Sequence, residues 1–74
     1  MDSGVVKRQR VMWALAHLGG TARPKGGETL YSFPGTTIIV GRHDFSRAML
    51  CRLERKLARA GINAVQLRRT LDRA

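Results

Sequence analysis

The sequence predicts a small α+β domain: a helix, a short antiparallel sheet of two or three strands, a second helix and a short terminal helix, with the helices on one face of the sheet. Three observations carry this prediction. Met49, Leu50, Leu53, Leu57 and Ala60 recur at helical spacing within an arc of about 100°. Two β-branched and aromatic runs, Thr29–Phe33 and Thr36–Val40, flank a Pro34-Gly35 turn. Gly19-Gly20 and Gly61 stand where the helical patterns stop.

In chain order, residues 1–4 read as a flexible end and 5–74 as one folded domain. Residues 5–18 read as the first helix, with Val5, Val11, Met12, Leu15, Ala16 and Leu18 on its apolar side. Trp13 falls toward the polar side, and Lys7, Arg10 and His17 lie across from most of the apolar set. Thr21–Lys25 is expected as an edge strand, because Pro24 has no N–H to give a ladder. Gly26-Gly27 turns the chain into Thr29–Phe33, and Pro34-Gly35 turns it again into Thr36–Val40. Asp44 or Ser46 can cap the long helix over 46–60. The last helix runs from Asn63 or Ala64 to the end, with Val65, Leu67 and Leu71 as its apolar contacts.

Charge is the strongest functional signal. Fourteen Lys+Arg against five Asp+Glu give +9, and Arg outnumbers Lys eleven to three. Residues 46–74 hold eight of these cations against Glu54 and Asp72. Arg52, Arg55, Lys56 and Arg59 share one face of the long helix, where like charges at i,i+4 repel by about 0.2–0.5 kcal/mol per pair. Such a face gains by meeting a polyanion, and the guanidinium fork suits phosphate and stacks on bases. Nucleic acid is therefore the expected partner, RNA before DNA. Cys51 is the only cysteine, so no internal disulfide forms, and with only His17 and His43 beside it no zinc site is expected. No cofactor is implied. A lone free cysteine suits a reducing cytoplasm, and no apolar run is long enough to cross a bilayer. A homodimer is compatible with so thin a core, since a chain this short buries only about 60% of its unfolded surface.

The residues also carry a family resemblance. Leu15–Gly20 end the first helix; Arg23-Pro24-Lys25-Gly26-Gly27-Glu28 form a basic strand and turn; Thr36–Val40 form the last strand; Gly41-Arg42-His43 follow it; and Ala60-Gly61-Ile62 end the long helix. Over residues 6–72 this order resembles the HicA-type toxins, small mRNA interferases of toxin–antitoxin pairs with a fold like that of a double-stranded-RNA-binding domain. The resemblance implies an RNA-facing surface at Arg23, Lys25, Arg42 and Arg47, extended by Arg52, Arg55, Lys56 and Arg59. It also implies endoribonuclease activity and an acidic antitoxin-like protein as partner.

One departure matters. The family's catalytic histidine in the Gly-x-His turn is replaced by Glu28. Imidazole both takes and gives a proton near neutrality, whereas a carboxylate with an ordinary value near 4.3 is a poor acid at pH 7. A catalytically degenerate RNA-binding protein is thus the first reading. The candidates for any surviving catalysis are Glu28 and His43, and Glu28 is expected to pair with Lys25 or Arg42. Two alternatives stand beside it: an active interferase, and a protein-interaction module that docks on a larger or acidic partner through Trp13 and the basic helix.

Overall fold

The structure is a computed structural model and describes residues 5–73. The expected flexible end at 1–4, and Ala74, lie outside the described residues. The element order is α1 (Arg8–His17), β1 (Thr21–Lys25), β2 (Glu28–Phe33), β3 (Thr36–Val40), α2 (Arg47–Arg59) and α3 (Ala64–Arg73). The strands form one antiparallel sheet in the order β1-β2-β3, with Arg23 opposite Leu30 and Leu30 opposite Ile39. This is the α+β architecture that the residue patterns predict.

Period-two alternation makes the sheet one-sided. Tyr31 and Phe33 of β2 and Ile38 and Val40 of β3 turn inward and are buried, while Ser32, Thr37 and Ile39 are exposed. Against the inner face pack Val11, Ala14 and Leu15 of α1, Phe45, Leu53 and Leu57 of α2 and its approach, and Leu67 and Leu71 of α3. Full burial of each large aliphatic side chain stabilises by about 1.5–3 kcal/mol. β1 is exposed along its whole length, as expected of an edge strand.

Both glycine stops are built alike. Gly19 and Gly61 take φ of +103° and +83°. Beyond them, Gly20 N–H donates to Leu15 O (2.9 Å) and Ile62 N–H to Leu57 O (3.0 Å), closing the terminal carbonyls in the six-to-one pattern of a Schellman motif. α3 opens with a reciprocal capping box: Gln66 N–H donates to Asn63 Oδ1 and Asn63 N–H to Gln66 Oε1, both at 2.9 Å.

Several expectations need correction. The first helix begins at Arg8 rather than residue 5, because Val6 pairs instead with Phe45 through two backbone hydrogen bonds of 2.8 Å. Val5 is accordingly exposed. Ser46 caps α2 through Met49 N–H (3.3 Å), whereas Asp44 accepts from Arg8 N–H (2.8 Å) and so caps α1, thirty-six residues away in sequence. Met49 and Val65 are exposed at 37% and 54%, not core residues: Met49 sits at the margin of the apolar arc of α2, and Val65 lies on the side of α3 opposite Leu67, Thr70 and Leu71.

Two outcomes follow. Asp44→Ala removes the α1 cap and should lower stability by about 1 kcal/mol in urea unfolding, with an unchanged m-value. Burial raises the Tyr31 phenol above its ordinary value, and the nearby Arg8 charge lowers it by less. The raised folded-state value makes its stabilisation complete below the ordinary pKa of 10.0 and lost as pH climbs through the folded value. As Tyr31 is the only tyrosine, native phenolate absorbance should titrate above pH 10, and Tyr31→Phe should flatten the alkaline loss of stability.

Candidate nucleic-acid interface

The β1–β2 turn and the segment leaving β3 meet at one end of the sheet. Antiparallel register sets Lys25 opposite Glu28, and Thr29 opposite Val40 carries Gly41 alongside. The result is an open cleft of about 600 Å³ lined by Lys25, Gly26, Gly27, Glu28, Gly41, Arg42 and His43. Four residues that the sequence singles out, Lys25, Glu28, Arg42 and His43, are brought together here.

The cleft is shaped by the missing side chain of Gly27. A Cβ there would overlap the Arg42 guanidinium, so Arg42 lies directly over the turn. Glu28 leans the other way: a Cβ at Gly41 would stand 3.9 Å from Glu28 Oε2. The expected ion pair of Glu28 with Lys25 or Arg42 does not form. The salt bridges among the described residues are Lys7–Asp44 at 3.7 Å and Arg68–Glu54 at 3.4 Å. The Arg42 head lies over Gly27. Lys25 and Glu28 are solvent-exposed side chains, for which an ion pair offers little. Twelve of the fourteen Lys and Arg residues therefore have no acidic partner within 4.0 Å among the described residues.

Neither candidate catalytic group is oriented. His43 and Glu28 are exposed, and no side-chain hydrogen bond among the described residues fixes either one. Efficient acid–base catalysis needs a group held in hydrogen-bond reach of its proton, commonly by a third residue.

The cleft continues into α1. Arg8 Nε donates to Gly41 O, and the Arg8 N–H and Lys7 Nζ both engage Asp44. Beyond them lie Gln9, Arg10 and Trp13, joined by Arg73 of α3. Trp13 is 41% exposed and stacks on His17, with ring centroids 4.7 Å apart and 13° between planes. Arg8, Arg10 and Arg73 were not among the residues that the sequence pointed to. Arg8 reaches the cleft only through the long-range tie between α1 and the segment after β3, whereas Arg10 and Arg73 line a separate groove with Trp13, and no local pattern encodes either placement.

The other basic residues lie elsewhere. Arg23 stands in a row with Leu30 and Ile39 on the face of the sheet away from the core. Arg47 lines a groove with Arg10, Glu54, Arg68 and Asp72. Arg52 and Lys56 flank β3, and Arg55 and Arg59 are exposed along the outer side of α2. The groove beside β3 shares no lining residue with the cleft. Cys51 is a free, exposed thiol, and no group of three or more His, Cys, Asp or Glu side chains that could hold a metal occurs among the described residues. None of the described helices is long and apolar enough to cross a membrane.

Comparison with protein-family models, with curated proteins and with solved structures returns no match to this chain.

The two tight glycines separate shape from stability. At Gly27 the obstacle is the far end of a flexible arginine, so Gly27→Ala should leave the melting temperature almost unchanged while expelling Arg42 from its place. At Gly20 a Cβ meets Phe33 Cζ at 2.6 Å and Leu15 O at 2.9 Å. Gly20→Ala should therefore destabilise by about 1–3 kcal/mol in thermal or urea unfolding.

Proposed function

We propose that the protein binds RNA through the cleft at Lys25, Arg42 and His43 and the cationic surface of α1 beside it, and that it does so without cleaving the strand. The observation that carries this reading is the gathering of Lys25, Arg42 and His43 at one open cleft, next to Arg8, on a chain of charge +9. Lysine and arginine heads in such an arrangement capture phosphates, release counterions and position a strand with little reading of its sequence. Trp13, exposed and held flat against His17, offers a face on which a base can stack. RNA is favoured over DNA by the resemblance to the HicA-type proteins, whose RNA-facing surface corresponds to the Lys25–Glu28 and Gly41–His43 segments.

Loss of cleavage is argued from chemistry at the same cleft. Glu28 stands where that family has its catalytic histidine, and it adds negative charge where a phosphate would sit. His43 is exposed and, among the described residues, has no side-chain hydrogen-bond partner to hold it in register with a reacting hydroxyl. A domain of this kind acts by occupying RNA.

Binding should be measured by fluorescence anisotropy with labelled single-stranded and double-stranded RNA over a range of salt. The logarithm of affinity should fall steeply with the logarithm of salt, by about 0.7 for each phosphate contact on a single strand. Arg42→Ala should weaken binding and reduce that slope by about one contact's share. Glu28→Gln, which removes a negative charge from the cleft, should tighten it. Lack of binding at low salt, or affinity unchanged in the Lys25→Ala/Arg42→Ala double variant, would remove the cleft from the account. RNA cut by the unaltered protein, with cutting lost in Glu28→Ala or His43→Ala, would make it a ribonuclease instead.

A further inference from the structure

The two edges of the sheet are treated differently. β1 carries Arg23, Pro24 and Lys25, and both charge and a missing N–H discourage another strand from pairing there. β3 reads Thr36-Thr37-Ile38-Ile39-Val40, with no charge and no proline. It pairs with β2 alone among the described residues, so every second residue turns its N–H and C=O away from the sheet. Ile39 is 54% exposed on this strand. Unguarded edges of this kind are templates for strand addition.

The edge is also furnished. Between β3 and α2 runs a groove of about 170 Å³, with Ile38, Phe45 and Leu53 toward its apolar floor, Met49 beside Ile39, and Arg52 and Lys56 on the rim. Met49 is 37% exposed, so the apolar floor reaches the surface. Neither Arg52 nor Lys56 has an acidic partner among the described residues. Backbone groups, an apolar trough and a cationic rim lie along one line.

We propose that the free edge of β3 receives an extended segment of a partner protein, pairing backbone to backbone, with alternate apolar side chains in the groove and acidic side chains against Arg52 and Lys56. Charge complementarity selects this occupant. A second copy pairing through β3 would bring two sets of Arg52 and Lys56 together on chains of +9 each, and like charge across an interface opposes association. RNA can meet the cationic rim but cannot use the strand edge or fill the apolar trough. The site is separate from the cleft, so its test is independent of RNA binding.

The probe is a labelled peptide of about eight residues alternating valine and glutamate, long enough to span a strand of ordinary length. Three comparison peptides accompany it: one with lysine for glutamate, and the glutamate and lysine forms N-methylated at every second amide. Anisotropy at moderate salt should show saturable binding of the glutamate peptide, with the lysine form and the N-methylated glutamate form each weaker by about tenfold or more. Binding should slow amide exchange along β3. The Arg52→Glu/Lys56→Glu variant should lose affinity for the glutamate peptide to a similar degree, while Lys25→Ala/Arg42→Ala should keep it. Equal binding of the N-methylated and unmodified glutamate peptides would reduce the effect to charge alone and overturn the strand-pairing proposal. So would absence of peptide binding, or self-association through β3 in sedimentation that Ile39→Lys abolishes.

Discussion

The arrangement depends on a clasp between the start of α1 and the segment that leaves β3. Val6 and Phe45 exchange backbone hydrogen bonds, Asp44 caps α1 at Arg8, and Arg8 Nε reaches Gly41 O. A three-stranded sheet buries only one face, and a chain this short has little surface to spare for that purpose. α1 must therefore be laid on the sheet at a fixed angle, and the clasp does this at one end of the helix while Val11, Ala14 and Leu15 do it through the core. Phe45, buried in the same core, links the two. Removing the clasp would leave the Arg8 amide without its protein acceptor and would separate Arg8 from the cleft.

The same clasp assembles the basic surface. Lys25 and Glu28 come from a hairpin turn, Arg42 and His43 from the loop after β3, and Arg8 from α1. Sheet register joins the first two segments, and the clasp adds the third. Cations drawn from three segments repel one another, and the chain supplies few acids to relieve them: Asp44 is engaged at α1 and Glu54 pairs with Arg68. A phosphate backbone supplies what the fold leaves out. On the opposite margin, the cations of α2 border the unguarded edge of β3, where apolar floor and exposed peptide groups change the chemistry from that of a phosphate site to that of a strand site.

Much of this was legible in the residues. Local chemistry fixed the elements: Pro34-Gly35 set the hairpin, Gly19 and Gly61 ended the helices, Asn63 began the last one, and the Leu53–Leu57 stripe named the buried side of α2. Helical phase placed Trp13 outward. Long-range contacts were not legible. The pattern at Val5–Lys7 reads as helix, and only the partner Phe45 draws it into an extended pair. Asp44 has the right place to cap α2, yet its carboxylate serves α1. Glu28 sits opposite Lys25 in register, yet exposed side chains gain too little from an ion pair to hold one. The cleft residues could be named singly, but their meeting depends on strand register, and the contribution of α1 depends on the clasp.

The most direct test is a residue-resolved one. Isotope-labelled protein, titrated with single-stranded RNA at low salt, should show amide shifts concentrated at 25–28, 41–44 and 7–13, with β3 and the outer side of α2 little changed. Shifts confined to β3 and α2, or no saturable shifts at all, would contradict the assignment of the cleft as the RNA-binding surface.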